Sequence, residues 1–168
     1  IVTRATPVAM QAIAKLPFRQ ERHDEAGIVV VLGPGSRLPR TGGVAGILSP
    51  GTSDYRVAAE ARITAEQLGC KVVAAHDVGV AGVHRLLEAL DGMSKQKVDV
   101  YIAVAGREGA LPTLLAGMVD APVIGVPVST GYGMAGRGRS ALYAMLQSCS
   151  PLVVVNIDAG FVAGAVAA

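Results

Sequence analysis

The chain has 168 residues, enough for one well-cored domain. Hydrophobic residues make up 51%, charged residues 17% and aromatics 4%, and the formal net charge is +2; the core is therefore built from Ala, Val, Leu and Ile, and no basic stripe invites nucleic acid as a partner. No apolar run reaches the length of a membrane span, two cysteines make no disulfide framework and no secretory leader is visible, so the expectation is a cytoplasmic protein with no membrane partner.

Residues 1–43 read as the remnant of an N-terminal segment plus a linker. The Ala-rich stretch Pro7 to Leu16 suggests a helix, a charged turn follows, and the apolar run Ile28 to Leu32 suits a strand. Residues 33–43, GPGSRLPRTGG, concentrate Gly, Pro, Ser and Arg without apolar periodicity, which marks a linker or an extended arm.

A compact domain is expected over residues 44–168, where strand and helix patterns alternate. Val44 to Leu48, Lys71 to Ala75, Val98 to Val104, Val123 to Val126 and Leu152 to Ile157 read as strands. Arg56 to Leu68, Gly82 to Leu90, Pro112 to Met118, Ser140 to Gln147 and a terminal stretch from Phe161 read as helices. Five βα units predict an α/β fold, a three-layer sandwich around a five-stranded parallel sheet with right-handed crossovers. A mean hydropathy of +0.47 with 21 glycines further predicts a homo-oligomer whose outer helices are partly buried against other copies.

In open α/β sheets ligands bind beyond the carboxyl ends of the strands, so the loops there are the candidates for chemistry. After the first strand, Gly51 allows close backbone approach, and Ser53 and Asp54 either cap the following helix or line an anion or ribose site. After the second, Asp77 is a candidate for ribose hydroxyls, whereas His84 and Arg85 fall within a helix. After the third, Gly106 and Gly109 turn the chain tightly around Arg107 and Glu108. Glu108 reads either as a base sharpened by partial desolvation in the crevice or as an acid stabilised by a helix dipole.

The loop after the fourth strand carries Ser129, Thr130 and Tyr132. Gly131, Gly133 and Gly136 match G-x-G-x-x-G, but Pro127 to Thr130 intervene after the strand and the motif falls in the fourth unit. A substrate-covering loop is expected there rather than a dinucleotide fingerprint. Cys149, in a polar QSCS turn, suits a reactive thiol, whereas Cys70 reads as a small buried hydrophobe. The histidines and cysteines show none of the short paired spacings of zinc sites, and metal ligands stay unassigned.

These residues carry two resemblances. With GTSD after the first strand, AH after the second, AG then ALP after the third, VIGVPVS for the fourth and VVVNID for the fifth, residues 44–168 resemble phosphoribosylaminoimidazole carboxylase of the PurE type. That resemblance implies a flavodoxin-like sheet, an octamer, and movement of carbon dioxide on and off an aminoimidazole ribonucleotide, with a third-loop histidine carrying the proton. Ala110 stands in that histidine's place, and Asp77 replaces the arginine of the SAHR motif.

The closer resemblance is to the LarB family, the pyridinium-3,5-biscarboxylic acid mononucleotide synthases. It rests on DVGVAGVHR at 77–85, EGALP at 108–112, GYG at 131–133, QSC at 147–149 and VVNID at 154–158, and TRATP and LGPG fit that family's N-terminal segment. The departures are Gln147 for Asn, His76 for Tyr, Arg107 for Met and Ala159 for Asn.

That resemblance implies carboxylation of the pyridinium ring of nicotinic acid adenine dinucleotide with carbon dioxide or bicarbonate as co-substrate. Hydrolysis of the phosphoanhydride then releases AMP and leaves the precursor of a nickel-pincer nucleotide. Cys149 would act as nucleophile and Glu108 as base; Ser53, Asp54, Asp77, Gly106, Gly109, Ser129, Tyr132 and Gly133 would hold the substrate; Mg2+ would serve the hydrolytic step. The alternatives are an aminoimidazole ribonucleotide carboxylase or mutase, and a nucleotide-binding module without catalysis.

Overall fold

The computed structural model describes residues 1–131, 133 and 136–168. Helix α1 (Pro7–Ala14) starts with proline at its first position and is capped by Thr6, whose hydroxyl accepts the Ala9 N–H at 3.2 Å. An antiparallel hairpin follows, β1 (Arg19–His23) and β2 (Ile28–Leu32). The sequence RQERH of β1 reads as a charged turn because it has no apolar period; pairing from Arg19↔Leu32 to His23↔Ile28 makes it a strand, and the turn falls on the residues between. The hairpin is not detached, since Ala26, Ile28 and Val30 share a buried cluster with Ala59 and Ile63 of helix α2 (Tyr55–Gln67).

Residues 44–168 form a five-stranded parallel sheet from β3 (Val44–Ser49), β4 (Lys71–His76), β5 (Val100–Ala105), β6 (Val123–Pro127) and β7 (Val153–Val154). The spatial order β4-β3-β5-β6-β7 is 2-1-3-4-5 within the sheet, the flavodoxin-like arrangement. Successive residues point to opposite faces. Ile47, Ile102, Val104, Ile124 and Val126 pack towards α2 and α6 (Gly160–Ala167). Leu48, Tyr101, Ala103 and Val123 pack towards α3 (Val83–Ser94), α4 (Ala110–Ala116) and α5 (Arg139–Leu146). The three-layer sandwich expected from the βα alternation is therefore the fold. Gly46 is what its packing requires, because a Cβ there would stand 2.8 Å from the Tyr101 ring.

Local differences from the sequence pattern have physical causes. Helix α3 runs through Gly92 to Ser94 rather than ending at Leu90. Helix α4 begins at Ala110, so that Pro112 lies in its first turn, where the missing N–H has no intrahelical partner to lose. Strand β7 spans two residues rather than six: Asn156 Oδ1 accepts the Ile157 N–H at 2.8 Å, and Asp158 adopts φ +56° and donates its N–H to the Pro127 carbonyl at 2.9 Å. Asx chemistry ends the ladder there. Among the described residues no helix is long and apolar enough to cross a membrane.

Candidate active site

The strand order reverses between β3 and β5, and the loops leaving the two strands part above that point. Between them lies a cleft of about 250 Å³ whose walls include Ser53, Asp54, Gly106, Glu108, Gly109 and Thr130. The structure thus gathers five of the sequence-derived site residues at one carboxyl edge.

Asp54 is the centre of this group. It ends a tight 3₁₀ turn, Thr52–Asp54, and is 4% exposed. Although it precedes α2, its side chain makes no cap hydrogen bond. Instead the carboxylate accepts the Ser53 hydroxyl at 3.3 Å and the Thr130 hydroxyl across the cleft. The capping reading of Asp54 is not realised. Burial pushes its carboxyl above the ordinary 3.8, and the two hydroxyl donors pull it back only in part. A Cβ on Gly106 would lie 3.1 Å from Asp54 Oδ1, so a side chain at 106 would crowd the carboxylate.

Glu108 is exposed at the rim, between buried Gly106 and Gly109, rather than desolvated inside the cleft as its glycine neighbours suggest. Gly109 takes φ +68° and lies so close to α5 that a Cβ would meet the Ala141 carbonyl oxygen at 2.7 Å. Glycine is therefore required to seat this loop, and Glu108 inherits a fixed position from it.

The remaining candidates lie elsewhere. Asp77, at φ +60°, pairs with Arg85 at 3.5 Å on the surface and does not line the cleft. Ser129 donates its N–H to Asp158 Oδ1 at 2.8 Å and lines an adjoining depression. Gly133 is exposed and is not part of the cleft wall, and Tyr132 falls outside the described residues. Cys149 is exposed and follows α5 just ahead of β7, hence at the amino edge of the sheet, the opposite end from the cleft. One chain does not bring Cys149 and Glu108 together.

Two contacts lie beyond what the motifs indicate. Thr130 reads only as a loop residue, yet its hydroxyl ties the fourth loop to Asp54. At the ends of β3 and β4, Ser49 Oγ and His76 Nδ1 are 2.7 Å apart, and the Tyr55 ring meets the imidazole edge-on with centroids 4.9 Å apart. Burial, then the Arg62 charge, pushes His76 below its ordinary 6.5. The register Ser49↔His76 is the signal for that pair, available only once the strands are aligned.

Among the described residues no group of three His, Cys, Asp or Glu side chains could cage a metal ion. Magnesium sites use one or two carboxylates together with substrate phosphates, and the carboxylates in the described lining of the cleft are Asp54, buried and already accepting two hydroxyl donors, and Glu108, exposed at the rim.

A parallel sheet in the order 2-1-3-4-5 with its cleft at the switch point defines a flavodoxin-like α/β domain. The AIR carboxylase family matches residues 44–168, and the chain belongs to that family, one of carboxylase and mutase enzymes. It is 54% identical over 123 residues to an uncharacterised protein of Methanocaldococcus jannaschii, covering 73% of this chain and 47% of that one. It is 34% identical over 120 residues to a probable N5-carboxyaminoimidazole ribonucleotide mutase of Methanothermobacter thermautotrophicus, covering 68% and 34%. With the N5-carboxyaminoimidazole ribonucleotide mutase of Methanocaldococcus jannaschii it shares 32% over 117 residues, covering 68% and 69%. The chain thus spans less than half the length of the first two relatives.

Proposed function

We propose that the chain carboxylates the pyridinium ring of nicotinic acid adenine dinucleotide and hydrolyses its phosphoanhydride to release AMP, the LarB-type reaction. One observation carries this reading. The described lining of the cleft holds two carboxylates, Asp54 and Glu108, and no histidine, and Ala110 occupies the place of the proton-carrying histidine of the PurE-type enzymes. A proton taken at this rim goes to a carboxylate.

A pyridinium ring is an electrophile. The Cys149 thiolate adds to a ring carbon, the displaced π pair makes the ring an enamine, and the enamine carbon attacks carbon dioxide to form a carbon–carbon bond. Glu108 removes the proton from that carbon, the electron pair restores aromaticity, and the carbon–sulfur bond breaks to return the thiolate. Ring hydrogen is exchanged for carboxylate with no net oxidation. Magnesium, when bound, shields phosphate charge in the hydrolytic step. Asp54 stands where the ribose hydroxyls of a substrate in the cleft would find an acceptor, with the Ser53 and Thr130 hydroxyls beside it.

Because one chain separates the two reacting groups, this reading assigns the thiol to a neighbouring copy in a homo-oligomer. Tyr143 and Leu146, 60% and 62% exposed on α5 shortly before Cys149, supply apolar surface for such an assembly.

The test is incubation with nicotinic acid adenine dinucleotide, bicarbonate and magnesium. AMP release and a ring-carboxylated mononucleotide by mass spectrometry are expected; absence of both rejects the reading. Glu108→Gln should lower the carboxylation rate by about 10²- to 10⁴-fold, and Cys149→Ser should abolish carboxylation. The second reading, an N5-carboxyaminoimidazole ribonucleotide mutase, is favoured by the names of relatives at 32% and 34% identity. Turnover of that ribonucleotide with none of the dinucleotide would establish it instead.

A further inference from the structure

Beside the cleft, and separated from it by a wall to which Ser53 and Thr130 both belong, lies a second depression of about 300 Å³ at the same carboxyl edge. The first cleft sets the carboxylates of Asp54 and Glu108 around its space. The second presents two guanidinium groups, Arg4 from the N-terminal segment and Arg56 from the first turn of α2.

The acids here each accept a backbone N–H, and the Arg4 and Arg56 charges also act on Glu60, while the guanidinium donors are only partly used. Asp158 Oδ1 accepts the Ser129 N–H at 2.8 Å, and the buried Glu60 carboxylate accepts the backbone N–H of Phe161 at the start of α6. Arg4 spends one donor, Nη2, on the Asp158 carbonyl at 2.9 Å. Among the described residues Arg56 makes no hydrogen bond or ion pair. Its guanidinium lies against the hairpin turn, where a Cβ on Gly27, at φ +65°, would come within 2.9 Å of Nη2. A guanidinium has five donors in a fixed fork that matches phosphate geometry.

A dinucleotide must place two nucleotide halves and the negative pyrophosphate joining them. The first cleft sets Asp54 and Glu108 against Arg107, and the second depression sets Arg4 and Arg56 against Glu60 and Asp158, so the second is the less negative of the two and the one better suited to phosphate. We propose that the second depression holds the nucleoside monophosphate half of the substrate, the half released on hydrolysis, with its phosphate on Arg4 and Arg56 and the pyrophosphate crossing the Ser53–Thr130 wall. Were both arginines only to balance Glu60 and Asp158, AMP affinity would not change in Arg56→Gln. The inference rests on the dinucleotide reading above, and it gives the N-terminal segment a part in binding that the family match over residues 44–168 does not include.

The test is calorimetry on the full chain with two probes, AMP and nicotinic acid mononucleotide. Arg56→Gln, which breaks no bond among the described residues, and the double variant with Arg4→Gln should weaken AMP binding at least tenfold. Both should leave nicotinic acid mononucleotide binding within twofold and raise KM for the dinucleotide. Thermal unfolding of each variant checks that the fold is intact. Unaltered AMP affinity in Arg56→Gln, or equal loss for both probes, overturns the proposal. If the protein fails to turn over the dinucleotide yet AMP binding still depends on Arg56, the reaction assigned above falls and the nucleotide site stands. Intact turnover with arginine-independent AMP binding removes the site alone.

Discussion

Asp54 holds the strongest tension between burial and charge at the site. Its folded carboxyl ionises above 3.8, the ordinary value, so between the two values the native chain carries a proton that the unfolded chain has lost. Stability contributed by this group therefore falls as pH rises through that window. Asp54→Asn, which cannot ionise, is expected to be more stable than the parent at pH 7, with the gain fading to nothing below about pH 3.8. Urea unfolding at a series of pH values measures the difference, and a less stable variant at pH 7 would mean that the Ser53 and Thr130 hydrogen bonds outweigh burial. That Ser53, Asp54, Gly106, Glu108 and Gly109 line one cleft was legible, because loops leaving adjacent parallel strands share the carboxyl edge of the sheet. The Thr130 contact was not legible, since it joins loops distant in sequence and exists only after the sheet forms. Nor could spacing reveal that Glu108 stays exposed while Asp54 is buried.

At the scale of elements, α2 and α6 cross at backbone distance. Side chains at Gly160 and Gly164 would collide with the carbonyl oxygens of Val57 and Ala61, and one at Gly164 would also lie 2.8 Å from Thr64 Cβ. Gly164→Ala should cost about 1–3 kcal/mol through overpacking despite the better helix propensity of alanine. A fall in Tm on the order of 5 °C by calorimetry is the expected reading, and a rise would show that the helices shift apart freely. The pattern of strands and helices announced this terminal helix but not why glycine recurs four residues apart within it. Strand β1 leaves no strand signature in the sequence because a two-stranded ribbon with a solvated face needs no apolar alternation. VVVNID has the composition of a longer strand, but Asn156 and Asp158 turn the backbone and end β7 after two residues.

For the whole molecule, chain order already implied that a residue after α5 and before a parallel strand sits at the sheet's amino edge, away from Glu108. The motifs drew the two together, and the fold of one chain parts them. If the working site is shared between copies, Glu108→Gln and Cys149→Ser, each inactive alone, should complement when co-expressed, because some clefts then combine an intact acid with an intact thiol. Random assembly predicts recovery of about a quarter of parental activity; none would place both groups' roles within a single copy and sink the shared site. The two-residue β7 bears on how such copies meet. A strand so short offers an incoming chain almost no ladder to extend, and Pro151 just ahead of it has no N–H to give. That margin of the sheet is thereby blunted against fibril-like growth, so copies that meet would do so through helical faces, where assembly can close and stop.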